Sequence, residues 1–107
     1  MKIVGIGDLL IPEEYIAEGF QNFKDAGHQV ETIQWKLGSY EELQNINLEV
    51  ELHGSEAVEP PQDVLDAIHD ADVVITQFCP ITRKVIESCE NLKVIGVLRG
   101  GYENINL

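Results

Sequence analysis

The residues best suited to chemistry lie at the C-terminal end of the sequence, in Gly96-Val97-Leu98-Arg99-Gly100-Gly101-Tyr102-Glu103-Asn104-Ile105-Asn106-Leu107. An apolar run, Leu92 to Leu98 broken only by Lys93, leads into a cation and two adjacent glycines. A glycine pair at the end of a strand leaves backbone N–H groups that no side chain shields, and consecutive N–H groups can form a concave nest. In open α/β sheets the carboxyl end of a strand is also where ligands bind. Gly100 and Gly101 are therefore expected to touch a ligand, although the pair could also serve only as a turn. Arg99 is either a clamp for that ligand or an ion-pair partner at the strand end. The other reactive side chains are less promising. Cys79 has no histidine grouped with it and reads as a small buried hydrophobe. His28, His53 and His69 fall in separate connections and helix ends, a pattern that fits neither a metal site nor acid–base work.

A parallel sheet must position these residues. Lys2-Ile3-Val4-Gly5-Ile6-Gly7 is a short apolar run ended by glycine, as expected of a buried parallel strand. Pro12 opens a helix whose Ile16, Phe20 and Phe23 recur at i, i+4 and i+7, and Gly27 closes it. A second strand is expected over 29–35, with Ile33 and Trp35 on one face. Residues 36–47 read as a polar loop with one helical turn at Tyr40–Leu43, and Trp35 and Tyr40 as packing residues. The alternation Leu48-Glu49-Val50-Glu51-Leu52 predicts a short edge strand or surface ribbon. Pro61 begins a helix carrying Val64, Leu65 and Ile68. A third strand over 72–78 is ended by Cys79-Pro80, and Thr82 starts a helix with Val85, Ile86 and Cys89 inward. That helix is expected to end at Asn91, before a fourth strand over 92–98. Strand and helix alternating at this spacing predict an α/β, flavodoxin-like three-layer sandwich with a central parallel sheet.

With 107 residues the sequence suits one domain and one hydrophobic core. A net charge of −12 argues against nucleic acid and anionic membrane as partners, because both demand basic patches. The acids are dispersed and read as a solvated surface. Two cysteines without a C-x-x-C pair, a start that is already strand, and no apolar run of membrane-spanning length predict a cytoplasmic protein with reduced thiols.

Many functions share this layout, so each must be tested on its chemical demands. A flavodoxin needs a hydroxyl-rich loop after the first strand, where this sequence has Gly7-Asp8-Leu9-Leu10-Ile11-Pro12. A response-regulator receiver needs an acidic pair there and an aspartate ending the middle strand. Here Asp8 stands alone, and the run to Phe78 ends without an acid. A phosphotransferase component needs a cysteine just after the first strand, but the first cysteine is Cys79.

Four stretches, in order and at matching spacing, resemble the D-isomer-specific 2-hydroxyacid dehydrogenases. They are Asp70-Ala71-Asp72-Val73-Val74-Ile75, then Pro80-Ile81-Thr82 with Val85-Ile86, then Asn91-Leu92-Lys93-Val94-Ile95-Gly96, and finally Gly101-Tyr102-Glu103-Asn104-Ile105-Asn106. The last resembles the family's hinge, G-x-D-N-[IV]-D, with Glu103 and Asn106 in place of its aspartates. The resemblance implies hydride transfer between a substrate α-carbon and nicotinamide, with NAD bound by the full-length protein and no cofactor site in this chain. It implies that residues 1–107 are the first part of a substrate-binding domain, ending at the hinge to a nucleotide-binding domain outside the sequence. Carried over, the backbone of Gly100 and Gly101 holds the carboxylate of a small 2-hydroxy or 2-oxo acid, with Arg99 as a further cation beside it. The loop Gln77-Phe78-Cys79-Pro80 walls the pocket. Gly5-Ile6-Gly7 is not the dinucleotide fingerprint, because no third glycine follows, and no catalytic residue is expected in this chain. An apolar face left uncovered here should make the isolated chain self-associate. A free-standing module for a small carboxylate and a purely structural or regulatory domain are the competing expectations.

Overall fold

The computed structural model describes residues 1–98 and Ile105. Four strands, β1 (Lys2–Gly7), β2 (Gln29–Gln34), β3 (Val73–Thr76) and β4 (Val94–Val97), form one sheet in the order β2-β1-β3-β4. Every pairing is parallel, with Lys2 opposite Gln29, Ile3 opposite Val73 and Val73 opposite Val94. This is the expected α/β flavodoxin-like architecture.

The two faces of β1 meet different partners, as strand alternation requires. Val4 and Ile6 join the main core with Leu43, Val64, Ile68 and Val74. A Cβ on Gly5, one residue out of phase, would collide with the side chain of Ile16 on α1 (Glu13–Gly19). A Cβ on Gly7 would strike the backbone of Glu13, with Glu13 Cα only 2.6 Å away. Glycine at that position lets the chain turn from β1 into α1 and lets Gln34 Oε1 accept from Glu13 N at 2.9 Å. The helix expected from Pro12 is broken at Phe20 into α1 and α2 (Gln21–Asp25). Ile16 is buried while Phe23 is 47% exposed and stacks against Phe20, so the apolar stripe is less inward than its spacing suggests. Gly27, at φ +98°, takes the left-handed conformation that follows the end of α2.

The stretch expected to be a loop and an edge strand is instead one helix, α3 (Tyr40–His53). Ser39 caps it by accepting from Glu42 N at 3.2 Å, and Glu42 Oε2 accepts from Gly38 N at 2.9 Å, an arrangement close to a capping box. Glu41 and Glu42 in its first turn oppose the helix dipole. Leu43 and Val50, seven residues apart, are buried, whereas Leu48 and Leu52 are exposed. The alternation over 48–52 therefore does not describe a face, because only Val50 turns inward. Two shorter α-helices follow among the described residues, α4 (Gln62–Ile68) after Pro61 and α5 (Arg83–Ser88), with a 3-10 turn at Ser55–Ala57 before them. Thr82 caps α5 by accepting from Val85 N, and the helix stops at Ser88, short of Asn91.

The amino ends of the strands are closed by short polar contacts. Asp72 Oδ2 accepts from Lys2 N at 2.8 Å, and Asp72 N donates back to Lys2 O at 2.9 Å. Lys2 Nζ lies 2.6 Å from Asp70 and 3.3 Å from Glu31.

Candidate functional site

The strand order changes direction between β1 and β3, since the chain leaves β1 toward β2 on one side and returns to β3 on the other. In open α/β sheets the crevice outside the carboxyl ends of such a strand pair is the ligand site. Here two loops build it, residues 8–12 after β1 and residues 77–80 after β3.

The first loop is ordered by Asp8. Its Oδ1 accepts from Leu10 N and from Ile11 N, both at 2.9 Å, while its own N–H donates to Ile11 O at 2.9 Å. The aspartate is 1% exposed, and its second oxygen, Oδ2, is buried without a hydrogen-bond partner among the described residues. Leu9 and Leu10 project outward from the same loop, 39% and 48% exposed.

The second loop is held by Thr76, whose hydroxyl donates to Cys79 O at 3.1 Å. Cys79 is buried in the core, as expected of a small hydrophobe, and Pro80 is buried beside it. Burial above all, then the nearby Asp8 and Asp63 carboxylates, push the Cys79 thiol far above the ordinary thiol range. That keeps it protonated and a poor nucleophile. Phe78 faces a groove of about 500 Å³ whose other walls are Leu10 and the α3 side chains Tyr40, Leu43, Asn47, Leu48 and Glu51. Tyr40 is 53% exposed and lines this groove, so it is not the packing residue expected of it, whereas Trp35 is buried at 2%. Asn47 Oδ1 is another buried acceptor without a partner among the described residues.

Of the six residues expected to bind substrate, the structure thus brings Phe78, Cys79 and Pro80 to this edge. Arg99, Gly100 and Gly101 lie outside the described residues. Leu98 N donates to Thr76 O at 2.9 Å, and Ile105 pairs in parallel with Ile81 and is buried in the core. Sequence reasoning did not find Asp8 as a site residue or α3 as a groove wall. The Ser39-x-x-Glu42 pattern was the available signal for α3.

A dinucleotide does not fit the first loop. A pyrophosphate cradle needs free backbone N–H groups at a helix N-terminus. Here Asp8 already takes the N–H groups of Leu10 and Ile11, Gln34 takes that of Glu13, and Glu13 and Glu14 place negative charge at the start of α1. Among the described residues no group of three or more histidine, cysteine or acidic side chains could hold a metal ion, and no helix is long and apolar enough to cross a membrane.

The family model described as "D-isomer specific 2-hydroxyacid dehydrogenase, catalytic domain" matches residues 16–107. A protein named hydroxypyruvate reductase from Blautia hydrogenotrophica is 39% identical over 46 residues, a stretch that is 43% of this chain and 14% of that protein.

Proposed function

The chain belongs to the D-isomer specific 2-hydroxyacid dehydrogenase family, and from that premise we propose that it forms the substrate-binding portion of an NAD-dependent oxidoreductase. The observation that carries the proposal is the family match over residues 16–107, which includes the loop after β3 at the carboxyl edge of the sheet and the Arg99-Gly100-Gly101 sequence. In this reading the substrate is a small 2-hydroxy or 2-oxo acid, the class to which the named substrate of the Blautia relative belongs. Its carboxylate is held by the backbone N–H groups of Gly100 and Gly101, with the Arg99 guanidinium adding charge. Fixed backbone dipoles suit this task because they need no reorganisation as charge develops. Phe78, Cys79 and Pro80 form the opposite wall and exclude water from it.

The nicotinamide supplies the hydride, and its binding site is assigned to a domain beyond residue 107. The present chain binds and orients the acid without turning it over. Mixed with NADH and a small 2-oxo acid, it should oxidise no NADH above buffer, while amide signals of residues 77–79 and 100–101 move on titration with D-lactate. Enzyme-dependent NADH oxidation by the chain alone, or no amide movement with any 2-hydroxy acid, would overturn the proposal.

The chain on its own should also self-associate. Val94 and Leu98, on and after the edge strand β4, are 55% and 47% exposed, and at the opposite edge of the sheet Phe23 on α2 is 47% exposed. Apolar surface of this kind is worth roughly 25 cal/mol per Å² on burial, enough for a patch of a few hundred Å² to drive association. Sedimentation over a range of concentrations should show dimers or larger species, and a monomer throughout would refute this part.

A further inference from the structure

Two carboxylates from one short connection converge on the start of α5, just after the loop that carries Phe78. Thr82 caps that helix with its hydroxyl oxygen, which accepts from Val85 N at 3.4 Å. Thr82 is fully buried, so its hydroxyl hydrogen needs a partner within the protein. Glu59 provides one, its Oε2 accepting from Thr82 Oγ1 at 2.9 Å across 23 residues of chain. Glu56 reaches the same turn, where its Oε1 accepts from Arg83 N at 2.8 Å, an N–H group of the kind a helix start leaves open. Bonds to an ionised acceptor are stronger than those between neutral groups. A helix already capped by its own threonine does not need two carboxylates from a distant segment. The connection that carries them accounts for both. Residues 54–61 leave the end of α3, form the 3-10 turn Ser55–Ala57 packed against α3, and end at Pro61 before α4. One wall of the groove is α3, and Phe78, four residues before Thr82, is the other. The connection is therefore a strap, held to one wall by packing and pinned by two carboxylates to the chain that follows the other. Between Phe78 and Thr82 that chain is fixed at every step. Cys79 O accepts from the Thr76 hydroxyl at 3.1 Å, Pro80 and Ile81 are buried, and Ile81 pairs with Ile105.

We propose that Glu59 is a positioning residue, which through Thr82 holds the loop 77–82 at a set distance from α3 and so fixes the wall that Phe78 presents to a bound acid. This rests on the reading of that loop as a wall of the 2-hydroxy acid site. Glu56 braces the same joint through Arg83 N. Neither carboxylate touches the acid, since both are engaged with the start of α5 and both lie outside the lining of the groove. A binding wall depends on support of this kind, because a small displacement of the wall loosens the fit. The two pins are unequal. The Glu59 bond ends on a buried hydroxyl and is itself partly buried, whereas the Glu56 bond is exposed and competes with water. Glu59 therefore carries the larger share.

The test follows amide signals of the 107-residue chain, free and titrated with D-lactate, in Glu59→Ala, Glu59→Gln, Thr82→Val and the double variant Glu59→Ala/Thr82→Val. In the free chain Glu59→Ala should shift the signals of Phe78 and, across the groove, of Leu48, besides those of α5. It should weaken D-lactate binding about threefold to tenfold, the span of one lost hydrogen bond. Glu59→Gln keeps an acceptor of the same shape and should restore binding to within about twofold of the wild type. Thr82→Val should weaken binding by the same factor as Glu59→Ala, and the double variant by no more than either, because all three remove one and the same bond. Shifts confined to α5 with lactate binding unchanged would make Glu59 a helix cap only and overturn the proposal. Additive losses in the double variant, or no rescue by glutamine, would overturn it too. Glu59 is exposed, so if Thr82→Val does not fold, the two Glu59 variants decide. If D-lactate moves no signal of the wild type, it is the site reading that has failed, and the free-chain shifts at Phe78 and Leu48 alone then decide whether Glu59 sets the groove.

Discussion

The two ends of the β-sheet use their carboxylates differently. At the amino end, Asp72 bridges β1 and β3 through the backbone of Lys2, and Asp70 and Glu31, each about half exposed, pair with the Lys2 ammonium. The charges at that end are paired, with Lys2 and Asp72 less exposed than Asp70 and Glu31. At the carboxyl end, Asp8 is buried with one oxygen unspent, the thiol of Cys79 is sealed in the core, and leucines line an open groove. The amino end stabilises strand order and leaves nothing for a ligand to complete. The carboxyl end buries more of its polar groups, and among the described residues it leaves one carboxylate oxygen of Asp8 without a hydrogen-bond partner.

The groove wall offers the strongest way to break that contrast. Leu43 is fully buried and ties α3 to the core beneath the groove. Leu43→Ala should cost about 2–5 kcal/mol in unfolding free energy, measured by urea denaturation, through lost burial and a residual cavity. It should also blunt the amide response of Phe78 to a bound acid, because the wall opposite Phe78 loosens. A loss under about 1 kcal/mol would show that α3 is only loosely docked and that the groove is not a fixed feature.

Titration to alkaline pH sharpens the comparison, because the two ends should respond differently. In the unfolded chain a thiol ionises near pH 8.5, whereas folding holds Cys79 protonated well above that. Above about pH 8.5 the folded state therefore binds more protons than the unfolded state, and stability falls as pH rises. The slope is at most about 1.4 kcal/mol per pH unit for each such thiol. Cys89, buried against Ile68 O, is shifted the same way by burial and adds to the effect. Unfolding measured under reducing conditions from pH 7 to 10 should show this decline, and Cys79→Ala should remove part of it. A flat profile would mean that the corner around Cys79 is hydrated. Over most of this range the Lys2 ion pairs contribute nothing to the slope, since lysine ionises only near pH 10.4.

Much of this architecture is legible in the sequence, and what is not has identifiable causes. The strands at 2–7 and 29–34 are announced by β-branched runs, and those at 73–76 and 94–97 fall inside the longer apolar stretches that contain them. Caps at Pro61 and Thr82 mark their helices correctly. The segment at 40–53 misleads because Leu48-Glu49-Val50-Glu51-Leu52 satisfies a strand period, while its true partner for burial, Leu43, lies two helical turns away. Local alternation outweighed a helix cap that was there to be read. The glycine corner at 100–101 stands out because glycine pairs are distinctive by type. Asp8 does not, since an aspartate after a strand usually marks a turn. Only its burial in the folded chain shows a second oxygen with no partner among the described residues.

The smallest effect is expected at the wet end. Lys2 donates to Asp70 and, more weakly, to Glu31, which raises the lysine pKa against a modest desolvation and holds Asp70 below the usual carboxylate range. The carboxylates of both pairs are about half exposed, although the Lys2 side chain is only 18% exposed, so the pairs are partly screened and their worth is small. The signs fix the window in which they act. Asp70, with a depressed pKa, stabilises above the ordinary aspartate value of about 3.9, and that contribution is lost as pH falls through its lower folded value. Lys2, with a raised pKa, stabilises below about 10.4, and its contribution is lost as pH rises through its higher folded value. Between those limits Lys2→Met should lower the melting temperature only slightly in dilute buffer. The difference should fade as salt rises from about 0.01 M to about 1 M, where the screening length falls from about 30 Å to about 3 Å. The backbone bonds between Lys2 and Asp72 survive this substitution and keep β1 and β3 in register. A large, salt-independent loss would show that packing of the lysine stem, only 18% exposed, outweighs the ion pairs at its tip.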